Sequence, residues 1–404
     1  MTLLPDDSSR PFPSITSIVM DRATSTATIL SSDRKETFPM LPSPFEPSSA
    51  IVRLTYIPSD NRLHLKTDRG DTIIAELPTL HNPAPRGGRP VVYLDQKDWS
   101  LLANVIYDPG KVGSHVEGEA AERLIALARE TKVILPMSQA HMGETSQWTN
   151  AERRYRLALT VAQLSRGWQM RHPLDIRRYE LRQSIASRMQ LDPLPPLDVI
   201  TLEGCAAQLK SFSRRHDRSH ARLPARTAHA IDALTCISSY FGAMLDAEAV
   251  LKNPVPGWAS ENQSFTDWLA GEAKTPAQKR KSTGARFFAD LQLELVQAAR
   301  ESGITASEIN TWLDTIFDDI RAMRSLGLFS EVYQDKHLNQ RAPWHSNDLT
   351  DLMYLTCAAG YADYVVGERS LVSYVNQATR RLGKPTNIYP RVSDLLVGLK
   401  LVNP

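Results

Sequence analysis

The sequence predicts an α/β protein: a parallel sheet flanked by helices, with a large helical insertion and a small N-terminal antiparallel β module. Three observations carry this expectation. Residues 14–77 alternate apolar and polar side chains between turn-rich breaks, the period-two signature of half-buried strands. Residues 89–150 and 345–404 switch between short apolar runs and helical spacing, the alternation expected of a parallel sheet. Residues 151–344 read as mostly helical. The implied segments are 1–88 (β-rich module and linker), 89–150 (first half of the α/β domain), 151–344 (insertion or cap) and 345–404 (second half).

In chain order, residues 1–13 are polar, Pro-containing and expected to be loose. Strands are expected at 14–20 and 26–31, then at 51–57, 63–67 and 72–77, forming an antiparallel meander or small barrel. The breaks Pro58-Ser59-Asp60-Asn61 and Asp68-Arg69-Gly70-Asp71 are rich in hairpin-turn residues. Such a module binds oligonucleotides, binds a protein or packs on a neighbour. The run from His81 to Pro90 holds three prolines and two glycines and reads as a linker.

Val91-Val92-Tyr93-Leu94 then runs straight into Asp95, and Trp99, Leu102, Ala103 and Ile106 follow at helical spacing. That is a short buried strand delivering a carboxylate at its C-terminal end, where open parallel sheets bind ligands. A helix over 117–130, a strand over 132–135 and a helix capped by Ser138 come next, placing His141 and Glu144 on one face. In the insertion, helices are expected at 202–222, 226–251 and 286–301. Residues 252–281 read as irregular, and a capping box at Thr305–Glu308 opens a helix running towards Gly327. Near the end, Asp348 and Asp351 share a face in the first turn of a helix. A strand comes next, flanked by Asp363 and Glu368, then a helix over 370–382, a weak strand over 387–389 and a last helix over 393–399.

Composition narrows the classes. At 404 residues the chain can bury a sizeable core and hold more than one folding unit. No apolar run approaches a membrane span, and the first residues lack the basic-then-apolar order of a signal peptide, so a cytoplasmic location is expected. Three widely spaced cysteines without a CxxC argue against a disulfide framework or a zinc site. A net charge of +2 implies nothing about nucleic acid, so any basic patch is local. One is visible: Lys210, Arg214, Arg218 and Arg222 recur every four residues, a stripe suited to phosphates. His216-Asp217-Arg218-Ser219-His220 is not a zinc-protease motif, because Asp stands where the general-base Glu belongs. A dehalogenase-like phosphotransferase would need a second Asp two residues after Asp95, where the chain has Lys97.

Tyr93-Leu94-Asp95-Gln96, Leu135-Pro136-Met137-Ser138 with His141 and Glu144-Thr145, Asp351, and Ala362-Asp363-Tyr364-Val365-Val366-Gly367-Glu368 together resemble the PIN-domain ribonucleases. The resemblance covers about residues 90–170 and 345–404. It implies a PIN-like parallel sheet and a metal-dependent endoribonuclease of toxin, defence or RNA-processing type. Asp95, Glu144, Asp348 and Asp351 would be catalytic, and these with Glu368 would hold Mg²⁺ or Mn²⁺. Glu368 departs from the family, which usually has Asp there. Hard divalent cations prefer carboxylate oxygens, and they relieve a repulsion of roughly 4 kcal/mol per close acid pair at an effective dielectric of 20. Single-stranded or structured RNA is the implied partner, contacted by Lys210, Arg214, Arg218 and Arg222. An inhibitory or partner protein on the N-terminal β module is the second partner considered. The alternative reading is a degenerate PIN-like module that binds RNA or protein without cutting.

Overall fold

The apolar-polar alternation of the first segment closes into one six-stranded antiparallel sheet. A computed structural model describes residues 15–40, 45, 49–77, 86–208, 225–246, 257–385 and 387–399, with side chains from residue 233 onward in the helix that begins at 225. The strands are β1 (Ile15–Asp21), β2 (Thr26–Ser31), β3 (Lys35–Pro39), β4 (Ile51–Ile57), β5 (Arg62–Thr67) and β6 (Thr72–Glu76). Their spatial order is β3-β2-β1-β4-β5-β6. Gly70 makes the β5–β6 turn at φ +88°, a conformation open to glycine. β3 was not expected from the sequence. It is an exposed edge whose Lys35, Glu36 and Pro39 discourage a further strand.

A polar hub fastens the sheet to the helical layers. Glu76, at the end of β6, accepts from Arg89 at 2.9 Å, Arg166 at 2.9 Å and the Trp168 indole at 3.1 Å. Burial works against this carboxylate, yet the Arg89, Trp168 and Arg166 donors hold it below the usual glutamate range.

The second layer starts at β7 (Val92–Leu94), followed by α1 (Gln96–Tyr107), α2 (His115–Arg129), α3 (Gln139–Ser146) and α4 (Ala151–Ser165). Next come β8 (Gln169–Met170), α5 (Pro173–Arg188), β9 (Ile200–Thr201) and α6 (Ala225–Leu245). After them stand α7 (Trp258–Gly271), α8 (Pro276–Ser302), α9 (Ala306–Leu313), α10 (Ile316–Ala322) and α11 (Leu326–Leu338). The chain closes with α12 (Asp348–Tyr361), β10 (Tyr364–Val366), α13 (Arg369–Leu382), β11 (Ile388–Tyr389) and α14 (Val392–Gly398).

Although some 270 residues separate them, β7 and β10 pair in parallel, Val92 opposite Tyr364 and Leu94 opposite Val366. β11 pairs in parallel on the far side of β10. The parallel sheet is therefore three-stranded. The strand expected at 132–135 contributes one parallel bridge, Val91 to Ile134, and Met137 bridges Gln169 beyond it. β8 and β9 form a separate antiparallel pair.

Two expectations for the insertion are corrected. Residues 252–281 contain α7 and the start of α8: Pro276 occupies the first turn of α8 behind a Thr275–Gln278 capping box, where proline starts a helix instead of breaking it. The helix expected to run from Thr305 to Gly327 breaks into α9, α10 and the start of α11. Gly327 is required at the α10–α11 crossing, because a Cβ there would stand 2.7 Å from the Ile320 carbonyl oxygen. Residues 202–208 are turns, and 209–222 of the expected 202–222 helix lie outside the described residues.

The two buried apolar clusters do not follow the boundaries read from the sequence. One runs from the β module through α1, α2, α4 and α6 to Val392 and Leu395 of α14. The other joins Val91 and Tyr93, just before and within β7, to α5, α8, α11 and α12. Among the described residues no helix is long and apolar enough to cross a membrane.

Candidate functional site: an acidic recess at the strand ends

Leu94 ends β7, and the chain turns at once into α1 with Asp95 as its N-cap, accepting from the Gln96 N–H at 2.9 Å. The Asp95 N–H bonds the Val366 carbonyl at 2.9 Å, so the β7–β10 ladder fixes the residue. Because β7 and β10 are parallel, the turn after Val366 opens at the same edge, and the Glu368 N–H also donates to Asp95.

His141 sets the second carboxylate. Its Nδ1 accepts from the Ser138 N–H at 3.1 Å and its Nε2 reaches the Leu94 carbonyl at 2.8 Å. Those two bonds require the neutral Nε2–H tautomer, and burial pushes the imidazole down to about 4. The ring stacks on Tyr93, with centroids 5.2 Å apart. His141 thus ties the first turn of α3 to the end of β7, and Glu144 comes one turn on.

The third carboxylate comes from Asp351, in the first turn of α12. Asp95, Glu144 and Asp351 line one narrow recess with Tyr93, His141 and Tyr354. The space there open to the centre of a water-sized sphere is about 10 Å³, enough for a water or an ion and too small for a nucleotide.

The acids feel one another. Burial, with the charges of Asp351 and Asp95, pushes the Glu144 carboxyl up to about 8. Burial, with Asp95, Asp348 and Glu368, pushes Asp351 up to about 7. Burial also raises Asp95, against the lowering pull of the Gln96 N–H and the Lys97 charge. Lys97 does not close on any of them: its ammonium donates to the Gly367 carbonyl at 2.8 Å and the Pro390 carbonyl at 3.1 Å. Among the described residues, no three Asp, Glu, His or Cys side chains stand close enough together to hold one ion as they are placed.

The remaining expected residues divide. Asp348 is outside the recess lining; Lys336 pairs with it at 3.0 Å, and it accepts from the His345 N–H. Its surroundings are those of a buried structural ion pair. Glu368 is exposed and accepts from the Ser370 hydroxyl at 3.1 Å, so it reaches the recess through its backbone and its charge. Asp363 receives the Val91 N–H at 2.8 Å and fastens the start of β7. Lys210, Arg214, Arg218 and Arg222 lie outside the described residues.

One residue escaped the sequence reading. Asp98, three positions after Asp95, is buried, and its Oδ2 has no hydrogen-bond partner among the described residues. Burial, opposed by Lys97 and reinforced by Asp95 and Glu117, pushes its carboxyl up to about 7. It does not line the recess, but it adds a second titrating acid to the same end of α1. Its signal was an acid next to Trp99 and one turn before Leu102, on the face that carries the helix's buried residues.

Comparison of the chain with protein-family models, with curated proteins and with solved structures returned no match.

Proposed function

We propose that the protein is a metal-dependent endoribonuclease of PIN-like type, cutting phosphodiester bonds at the recess of Asp95, Glu144 and Asp351. The observation that carries this is that three carboxylates from three distant segments line one recess, with no cation among the described residues closing on them. Uncompensated acids are costly to hold together, and perturbed carboxyls gathered at strand ends mark functional sites.

The donor set fits Mg²⁺ or Mn²⁺: it offers carboxylate oxygens, while His141 commits both ring nitrogens elsewhere. Asp95, Glu144 and Asp351 would hold the ion, and ligation by all three requires side-chain rotation from their present places. Glu368, whose charge already reaches Asp95 and Asp351, is positioned to support them through water. When bound, a divalent ion activates water and stabilises charge on the phosphate.

The chain's own residues supply the rest. The backbone N–H groups of Gln96 and Glu368 orient the Asp95 carboxylate. Neutral His141 holds the α3 turn so that Glu144 faces the other two acids. Burial and the charges of Asp351 and Asp95 hold the Glu144 carboxyl up to about 8, so it would give up its proton as a cation binds, and its oxygens would then join those of Asp95 and Asp351 around the ion. The recess admits only water or an ion, so the scissile phosphate approaches from its mouth.

The test is cleavage of RNA by the purified protein with Mn²⁺ or Mg²⁺, stopped by EDTA. Asp95→Asn is expected to lower the rate at least roughly 100-fold, since metal-assisted charge stabilisation supplies several kcal/mol. Loss of the sharp electron paramagnetic resonance signal of free Mn²⁺ on adding protein, absent in the same variant, reads the metal site independently of activity. A second reading, binding without cutting, is favoured by the diversion of Asp348 onto Lys336. It predicts RNA binding that Asp95→Asn does not change and no metal-dependent products.

A further inference from the structure

Beside the acidic recess, a groove runs between α1 and α4 that no part of this mechanism uses. Gln96 and Thr145, the neighbours of Asp95 and Glu144, hydrogen-bond each other at 3.0 Å, and α1 runs on from Asp95 in the recess to Ser100, Asn104 and Tyr107 in the groove. On the same measure that gives about 10 Å³ for the recess, the groove offers about 60 Å³, and it opens to solvent. Its lining combines Tyr107 and Trp148 with Arg153, Arg156, Lys111 and Asn104.

The chemistry of that lining is specific. The Arg153 guanidinium lies 4.3 Å from the Trp148 ring centroid, and Arg156 lies 5.5 Å from that of Tyr107. Lys111 is paired with Asp108. Glu152 is shared at 2.7 Å by Arg156 and Arg69, so it neutralises only one of them. Arg153 is exposed, and its guanidinium contact is with an aromatic face. Cations layered on flat rings are the ingredients of single-strand recognition: bases stack and phosphates pair.

We propose that this groove holds an unpaired nucleotide of the strand to be cut, its base against Trp148 and Tyr107 and its flanking phosphates on Arg153 and Arg156. The identity of that strand as substrate rests on the hydrolytic reading of the recess; the binding itself does not. Tyr107 lies about 18 Å along α1 from Asp95, at about 1.5 Å per residue, within the reach of a short oligonucleotide. The groove therefore selects single-stranded RNA, whose base faces are free, over a duplex whose faces are stacked.

The test is fluorescence anisotropy on the full chain, in EDTA, with a fluorescein-labelled ten-nucleotide single-stranded RNA and with its blunt duplex. The single strand is expected to bind more tightly. Trp148→Leu is expected to weaken it about 5- to 100-fold, the range for losing one stacked base. Arg153→Gln is expected to flatten the log–log salt dependence by about 0.7, one phosphate's share. Arg153 is exposed, so that variant keeps its fold, and circular dichroism checks Trp148→Leu; should the latter unfold, Arg153→Gln decides alone. A wild-type salt slope in Arg153→Gln, or a duplex bound as tightly as the single strand, overturns the proposal. If the binding pattern holds while wild-type protein yields no cleavage with Mn²⁺, the groove stands and the hydrolase reading falls.

Discussion

Glu144 shows at single-residue scale how the fold sets the site's chemistry. Its carboxyl moves from the ordinary 4.5 to about 8, so between those values the folded protein holds a proton that the unfolded chain has released. Folding stability therefore falls as pH rises from about 4.5 to 8. The melting temperature is expected to drop between about pH 5 and 8, and Glu144→Gln should flatten that drop by about 1–3 kcal/mol after screening and coupling. Mn²⁺ should restore the loss at pH 8–9 while releasing protons, measurable by calorimetry in buffers of different ionisation enthalpy. A pH profile unaltered by Glu144→Gln would mean that the acids do not share one field.

Between elements, the start of α12 is held by one buried pair. Lys336 of α11 lies 5.0 Å from the Trp344 ring centroid and bonds Asp348, one turn before Asp351. Lys336→Met leaves a buried carboxylate alone and is expected to cost about 3–5 kcal/mol in urea unfolding. Asp348→Asn should instead leave RNA cleavage within a few-fold of wild type, whereas Asp351→Asn should abolish it. Equal loss of cleavage in both variants would return Asp348 to the site. Farther back, Glu331 of α11 receives Arg321 at 2.7 Å and Arg381 of α13 at 2.8 Å, fixing the helices behind α12.

Across the molecule, the β module and the helical layers share one apolar cluster and the Glu76 hub. Tyr155 of α4 adds hydrogen bonds to Thr67 at 2.9 Å and Asp71 at 2.6 Å. Denaturation is expected to be a single transition for the module and α4 together. Glu76→Gln weakens three donors from two segments at once and should lower stability by about 1–3 kcal/mol. A separate early transition for residues 15–77, read by hydrogen exchange, would show that the module folds by itself.

The sequence by itself determined the period-two strands of the first segment, the short buried strand before Asp95, and the helical middle. Each is a local pattern, written in the spacing of apolar residues. It also marked Asp95, Glu144 and the pair Asp348 and Asp351, because strand ends and helix starts announce themselves through neighbours a few positions away. What only the tertiary structure decided is which acids meet. Lys336 captures Asp348, Asp363 fastens β7, and Glu368 turns its side chain to Ser370, all through partners that local patterning does not identify. The groove of Trp148 and Arg153 was equally invisible, since its two walls come from α1 and from the start of α4, and only packing brings them together. Residues 132–135 make a single bridge where a strand was expected, because pairing needs a neighbour in register along the whole run, and apolar character alone does not supply one.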